Sequence, residues 1–401
     1  MKQLPNNYSE IFKQLKEKIA QSQIKTVIAA NKQMLWLYWQ IGNEIIEQKK
    51  LQGWGAKIID KLSADLRSEF PKIKGFSVRN ILYMKQFAEI YSPEIIYNYN
   101  KLWQAIIKNP NQLIEKIKSI DNKNFEFPQQ AVAEIQKSDN QNIEKVQQAV
   151  AEITEQNFLN SPIASITWSH HVILINKIKN YQQNFWYILN TIENGISRNV
   201  LIHQIETNLF ERQIEQKKTT NFTKTLPEPQ SDFANYLMKD PYIFDFVQAK
   251  EKADERNIEE QLVNQITKFL LELGQGFAFV GKQYHLKVSD KDFFIDLLFY
   301  HIKLHCYVVV ELKAKEFDPG DLGQLNFYVA AVDGQIKSEK DNPTIGLLLC
   351  KEKNQVVAEY SLQGYKSPIS IAEYSFSELI PENIKSNLPS IKEIEDKLHE
   401  L

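Results

Sequence analysis

Two apolar runs, FFIDLLFY at residues 293–300 and CYVVVEL at 306–312, are separated by only five residues, HIKLH. Both are rich in β-branched and aromatic residues, the composition of strands, and the link between them suits an antiparallel hairpin. Strands this apolar belong inside a sheet, yet each carries acid. Asp296 sits between Ile295 and Leu297, and the second run ends in Glu311-Leu312-Lys313. Alternation sends Glu311 and Lys313 to one side and Leu312 to the other. In a simple hairpin turned near Lys303, Asp296 falls opposite about Val310 and within reach of Glu311.

Carboxylates among Phe, Val and Leu are costly unless they hold a cation. Mg²⁺ suits such a place, because it takes a few carboxylates and fills its shell with water and phosphate oxygen. A cation held there lowers the pKa of bound water and offsets charge developing on phosphorus, with Lys313 placed to orient that water. The bland alternative is a surface salt bridge between Glu311 and Lys313, and the Tyr-Val-Val-Val run before them argues against it. Glu-x-Lys alone is common in any protein; the strand-embedded Asp296 makes the pattern more specific. Gln324 and Tyr328, four residues apart in the helix that follows, share a face. The glutamine can grip substrate or a metal-bound water, and the tyrosine can contact a sugar-phosphate.

Around this hairpin the pattern is that of an α/β domain with a mixed sheet. A helix is expected over 259–273, then strands at GFAFVG and QYHLKV, the hairpin, a helix over 321–332, and strands at IGLLLC and QVVAEY. Upstream, 216–245 is polar, with Pro227 and Pro229 and no apolar period, and reads as a linker. The tail, 376–401, reads as an acidic helix.

The N-terminal part, 8–215, reads as all-helical. Residues 56–70 have a helical apolar period, Pro71 and Gly75 break it, and Ser77 is placed to cap SVRNILYMKQFAEIY. Helix, short turn, helix with Ser77, Arg79 and Asn80 in the first turn is a helix-turn-helix layout, though many helical hairpins share it without touching DNA. Arg198 and Asn199 follow Gly195-Ile-Ser197 in an echo of Gly75-Phe-Ser77-Val-Arg79-Asn80. The echo reads either as common helix-start chemistry or as a second nucleic-acid contact. Within 96–160, QQAVAEI occurs at 129–135 and again at 147–153, an offset of five helical turns. That segment reads as a helical or flexible insertion, either tolerated or serving as a protein-contact arm. Adjacent His170 and His171 point about 100° apart on a helix and so read as structural groups rather than a chelating pair.

Composition narrows the class without deciding it. A chain of 401 residues with 43% hydrophobic and 24% charged residues is ordinary globular material for two or three domains. A net charge of −2 means that nucleic acid would be bound through a local patch. Cys306 and Cys350 form no CxxC pair and read as buried thiols. No apolar leader or membrane-length run is visible, so the expected location is cytoplasmic. No Walker GxxxxGK[ST] occurs, which argues against ATP-driven translocation.

The hairpin and the Gln324-Leu-Asn-Phe-Tyr328 pattern together resemble the PD-(D/E)XK nuclease superfamily, the latter matching the QxxxY motif of its RecB-like branch. More of the chain is similar to the YhcG-type family of PD-(D/E)XK nuclease domain proteins. GWGAKIIDKLSADLRSEFP, GFSVRNILYMKQFAEIY, WSHHVILINKIK and LIHQIETNLFERQ carry the likeness in the N-terminal part. PYIFDF, FLLELGQGFAFVG, DFFIDLLFYH, ELKAKEFDPGDLGQLNFYVAAVD and DNPTIGLLLCKEKN carry it in the C-terminal part. The resemblance implies an all-α, helix-turn-helix-like N-terminal domain followed by a restriction-endonuclease-like α/β domain over 246–375. It implies Asp296, Glu311 and Lys313 as the catalytic core with Gln324 and Tyr328 assisting, and Mg²⁺ or Mn²⁺ held by Asp296, Glu311 and the Leu312 backbone carbonyl. It adds a first-helix glutamate, Glu259 fitting better than Glu260. The proline of the "PD" element is Ile295 here, a position that varies in the superfamily.

The expectation is therefore a metal-dependent endonuclease of DNA, acting in DNA processing or defence. A double-strand cut by one site per chain needs two chains, so the expected partners are DNA, a second copy, and a protein docked on the N-terminal domain. The competing reading is a non-catalytic nucleic-acid-binding adaptor on a nuclease scaffold, and an RNA substrate is a third.

Overall fold

The computed structural model describes residues 8–52, 54–108, 116, 117, 120, 154–247 and 254–376. It divides into two compact units, Met1–Ile202 and His203–Leu401.

In the first unit every described element of regular structure is a helix. Its main helices are α1 (Tyr8–Gln52), α2 (Ala56–Glu69), α3 (Val78–Ile90), α4 (Pro93–Lys108), α5 (Glu155–Leu159), α6 (Trp168–Lys177), α7 (Tyr181–Asn194) and α8, which begins at Arg198. Ser77 caps α3, its hydroxyl accepting from Asn80 N at 3.3 Å, as its position before the apolar period predicts. The second half of α1 packs on α3 through Tyr38, Ile45, Ile81 and Met84. They approach closely at Gly42, where a Cβ would lie 2.0 Å from Met84 O. The stretch expected as an insertion is partly core. Tyr99 of α4 and Phe158 of α5 are fully buried, and Tyr99 donates to Tyr181 O at 2.9 Å. The two QQAVAEI copies lie outside the described residues, as does the tail beyond Phe376.

In the second unit a mixed sheet separates two apolar layers. Its strands are β1 (Thr219–Thr220), β2 (Tyr242–Ile243), β3 (Phe277–Val288), β4 (Lys291–His301), β5 (Cys306–Glu316), β6 (Ile345–Glu352) and β7 (Ile369–Ser375). The order is β1-β7-β6-β5-β4-β3, with β2 also on β7. The β3–β4 and β4–β5 pairs are antiparallel; β5–β6 and β6–β7 are parallel. Between β2 and β3 lie helices α11 (Glu255–Asn264) and α12 (Ile266–Leu273). They cover one face, meeting Leu297, Phe299, Val308, Val310 and Leu312. Helices α13 (Asp321–Gln335) and α14 (Gln355–Ser361) cover the other, meeting Leu298, Val309 and Leu348. Such two-sided covering makes β5 and β6 almost wholly buried and explains their unbroken apolar runs.

Three expectations fail here. Residues 216–245 are no linker: they supply β1 and β2 and two helices, α9 (Phe222–Thr225) and α10 (Gln230–Leu237). Phe222, Leu226, Ala234, Met238, Tyr242 and Phe244 are buried in the core of this unit. Asn221 holds this segment to β7, donating to Ser367 O at 2.9 Å and accepting from Ile369 N at 2.8 Å. QVVAEY is helical in α14 because Asn354 accepts from both Val356 N and Val357 N, capping a turn that the β-branched residues alone would not start. The last strand is instead ISIAEYS. GFAFVG and QYHLKV are one long strand, β3, with a register shift between Phe279 and Gly281.

A buried ionic knot fastens the start of this unit. Arg212 donates from Nη1 to Glu272 Oε1 at 2.5 Å and to Pro241 O at 3.0 Å. Glu272 also accepts from Ile243 N at 2.9 Å, and Lys239 lies 3.8 Å from its other oxygen. Burial and the Glu272 and Arg212 charges together leave the Lys239 ammonium at about 8, below the usual lysine value.

Candidate active site

The β4–β5 hairpin pairs Leu297 with Val310, so Asp296 lies beside Glu311, one residue on from the simple register. Asp296 N donates to Glu311 Oε1 at 3.4 Å, and Leu312 N donates to Asp296 Oδ2 at 3.0 Å. The in-out alternation slips at this point. Leu297 packs in one core while Ile295, two residues away, packs in the other. Asp296 sits at the slip and uses its side chain where the backbone ladder stops.

Glu311 and Lys313 follow Val309 in alternation, so they belong to the face that α13 covers. The Lys313 ammonium lies 3.9 Å from Glu311 Oε2 and 3.9 Å from Glu255 Oε2. Glu255 and Glu259 are one turn apart on α11, on the same inward side as the buried Ile258 and Leu262. Glu255 accepts from Ala314 N at 3.2 Å. Glu259 accepts from Gln283 Nε2 at 2.6 Å, and the same nitrogen donates to Asp296 Oδ1 at 3.3 Å. Four carboxylates and one lysine are thus gathered from α11, β4 and β5.

Of the expected residues, Asp296, Glu311, Lys313 and Glu259 come together here, while Glu260 is exposed. Gln324 and Tyr328 meet each other on α13, Gln324 Nε2 donating to the Tyr328 hydroxyl at 3.2 Å. Glu255 and Gln283 were not read from the sequence. Glu255 had a signal, its four-residue spacing from Glu259; Gln283 had none.

Electrostatically the site is under-compensated. Glu311 is 1% exposed, and its Oε2 has no hydrogen-bond partner among the described residues. Burial, aided by the Asp296 charge and only partly offset by Lys313, pushes the Glu311 carboxyl up to about 9. Burial also raises Asp296, against the Leu312 N–H and Lys313, and raises Glu259, against the Gln283 amide. A divalent cation with oxygen ligands fits this donor set: adjacent carboxylates, one with an orphaned oxygen, cost less around positive charge. No group of three or more His, Cys, Asp or Glu among the described residues forms a metal cluster by side chains alone. Mg²⁺ asks less, one or two carboxylates with water and phosphate completing the shell.

The other candidates lie in the first unit. Ser77 is engaged in its cap. Asn80, expected to face nucleic acid, is turned inward instead: its amide donates to Gly75 O at 2.6 Å and accepts from Trp168 Nε1 at 2.8 Å. Arg79 is exposed, its guanidinium 5.6 Å from the Tyr83 ring centre. Arg198 is half-buried and Asn199 exposed at the start of α8. Ser197 accepts from Val200 N at 3.4 Å, the same three-residue cap as Ser77, so capping accounts for the echo between the two segments. His170 and His171 are buried and bonded to Ile196 O and Ile163 O. Cys306 and Cys350 are buried free thiols.

This cluster sits within a region that comparison with known proteins also marks. Residues 235–389 match the YhcG PDDEXK nuclease domain, and 14–135 and 126–212 match the DUF1016 N-terminal domain. The chain carries a YhcG PDDEXK nuclease domain and a DUF1016 N-terminal domain. It is 28% identical over 397 residues to an Escherichia coli (strain K12) protein named "Putative nuclease YhcG", covering 98% of this chain and 93% of that protein. No solved structure matches it. Asp296, Glu311, Lys313, Gln324 and Tyr328 all fall inside the YhcG-type nuclease domain. No described helix is long and apolar enough to cross a membrane.

Proposed function

We propose that the C-terminal domain hydrolyses DNA phosphodiester bonds with Mg²⁺ or Mn²⁺, as an endonuclease in DNA processing or defence. The observation that carries this reading is the buried Glu311 carboxylate, with an orphaned oxygen, beside Asp296 and Lys313. Asp296, Glu311 and the Leu312 carbonyl would hold the cation, with Glu259 at the edge of the set. When bound, that cation supplies a more acidic water and offsets negative charge at the phosphate.

The chain's own residues supply the rest. Lys313 brings a fixed positive charge to the side of Glu311, where it orients the attacking water and shields the phosphate. The apolar residues around Asp296 and Glu311 exclude bulk solvent and strengthen these charges. Gln324 and Tyr328, linked to each other, contact the sugar-phosphate from α13. Arg79, Arg198 and Asn199 of the N-terminal unit would touch DNA or a partner, and a second copy of the chain would supply the second cut.

Cleavage of linear, supercoiled, branched and single-stranded DNA, and of RNA, tests the reading. Wild type is expected to cut DNA with Mg²⁺ or Mn²⁺ and not with EDTA. Lys313→Ala is expected to lose roughly 10²–10³-fold of the rate, the scale of one charge-stabilising group, while keeping its circular dichroism. Equal cutting by wild type, Lys313→Ala and Glu311→Ala would mark the activity as contamination. A wild type that binds DNA but shows no calorimetric Mg²⁺ or Mn²⁺ binding would favour the adaptor.

A further inference from the structure

We propose that Gln283 is a positioning residue of this site: its side-chain amide ties Glu259 of α11 to Asp296 of β4 and sets their mutual placement. This rests on the metal-site reading above and adds a residue to it. Gln283 stands on β3 opposite Asp296, between the paired residues Lys282–Leu297 and Tyr284–Ile295. Its Nε2 carries two hydrogens, and one goes to each carboxylate, at 2.6 Å to Glu259 and 3.3 Å to Asp296.

The backbone has been bent to achieve this. Gln283 has φ 43°, in the left-handed region, inside a strand. Non-glycine residues there are uncommon, and Asn, Asp and His rather than Gln are the enriched types. Such a conformation persists only where surrounding structure over-determines it, and strained positions cluster at functional sites. Here it coincides with the place where alternation slips from one core to the other, and it brings the amide under two like charges that repel each other. Groups that orient carboxylates around a cation in this way commonly change metal affinity or activity 10–100-fold when lost.

Glycine provides a clean test, because it adopts φ 43° without strain and deletes the amide. Gln283→Gly, Glu259→Ala and the double variant are made in the full chain and unfolded by urea with EDTA, followed by circular dichroism. A tie between the two side chains makes the double variant's shift differ from the sum of the single shifts; strict additivity overturns the proposal. Titration with MnCl₂ is expected to show Gln283→Gly binding roughly 10–100-fold more weakly than wild type. On DNA, its kcat is expected to fall with KM for DNA unchanged, since the amide faces carboxylates. Wild-type Mn²⁺ affinity in Gln283→Gly also overturns it. If wild type itself neither binds Mn²⁺ nor cuts DNA, the nuclease reading fails, and the metal-free cycle still decides whether Gln283 sets the two carboxylates.

Discussion

Replacing Glu311 by Gln should stabilise the metal-free protein at neutral pH while abolishing cleavage. In the folded chain Glu311 keeps its proton up to about pH 9, whereas its ordinary value is 4.5. The sign follows: the raised folded value means that stability is fully present below pH 4.5 and is lost as pH rises towards 9. Each pH unit in that window costs 1.4 kcal/mol, so at pH 7 the burial of this one carboxyl has cost about 3 kcal/mol. Asp296 and Glu259 are raised too and push the same way. Glutamine has the shape of the neutral acid, and its carbonyl oxygen can still accept from Asp296 N. The Glu311→Gln variant should therefore match wild type near pH 4.5 and exceed it by about 3 kcal/mol at pH 7. Urea unfolding with EDTA at pH 5, 7 and 8, followed by circular dichroism, measures this. All six tryptophans precede residue 203, so tryptophan fluorescence follows the N-terminal unit and serves as an internal reference. Adding Mg²⁺ should restore wild-type stability, by about 2.7 kcal/mol at one hundred times its dissociation constant, and should not restore the variant to the same extent. Wild-type stability that is flat from pH 5 to 8, or a variant weaker than wild type at pH 8, would refute the reasoning.

Arg212→Ala removes the main partner of the buried Glu272, leaving it only Lys239 and the Ile243 N–H, and should cost about 3–5 kcal/mol in circular-dichroism-detected urea unfolding. Gly42→Ala drives a Cβ against the Met84 carbonyl and should cost about 1–3 kcal/mol, read by tryptophan fluorescence. Gln324→Ala removes an exposed amide, so stability should change by less than about 0.5 kcal/mol, while DNA cleavage should fall roughly 10–100-fold.

Much of the site was legible because its parts are local. A hairpin of two apolar strands fixes its own neighbours, so Asp296, Glu311 and Lys313 could be placed together from alternation and one short loop. The register still came out one residue off, since the slip at Asp296 is invisible to a simple period of two. The Ser77 cap was legible for the same reason: a hydroxyl before an apolar helical period serves the nearest free N–H groups. Asn80 was misassigned because its partner, Trp168, lies 88 residues away, and nothing local distinguishes an amide that faces solvent from one that faces a distant indole.

Sequence alone thus singled out Asp296, Glu311 and Lys313 as the candidate site, because a carboxylate set in an apolar strand is costly whatever surrounds it. It also determined the helical character of the N-terminal unit and the mixed-sheet class of the C-terminal one. Tertiary structure decided which charges meet. It brought Glu255 and Glu259 from α11 against the hairpin, and it made 216–245 part of the second unit's core and sheet. It also bent β3 so that Gln283 reaches two acids. Periodicity reports which side of an element is buried; it carries no record of the partner across the core, and the partners decide this site.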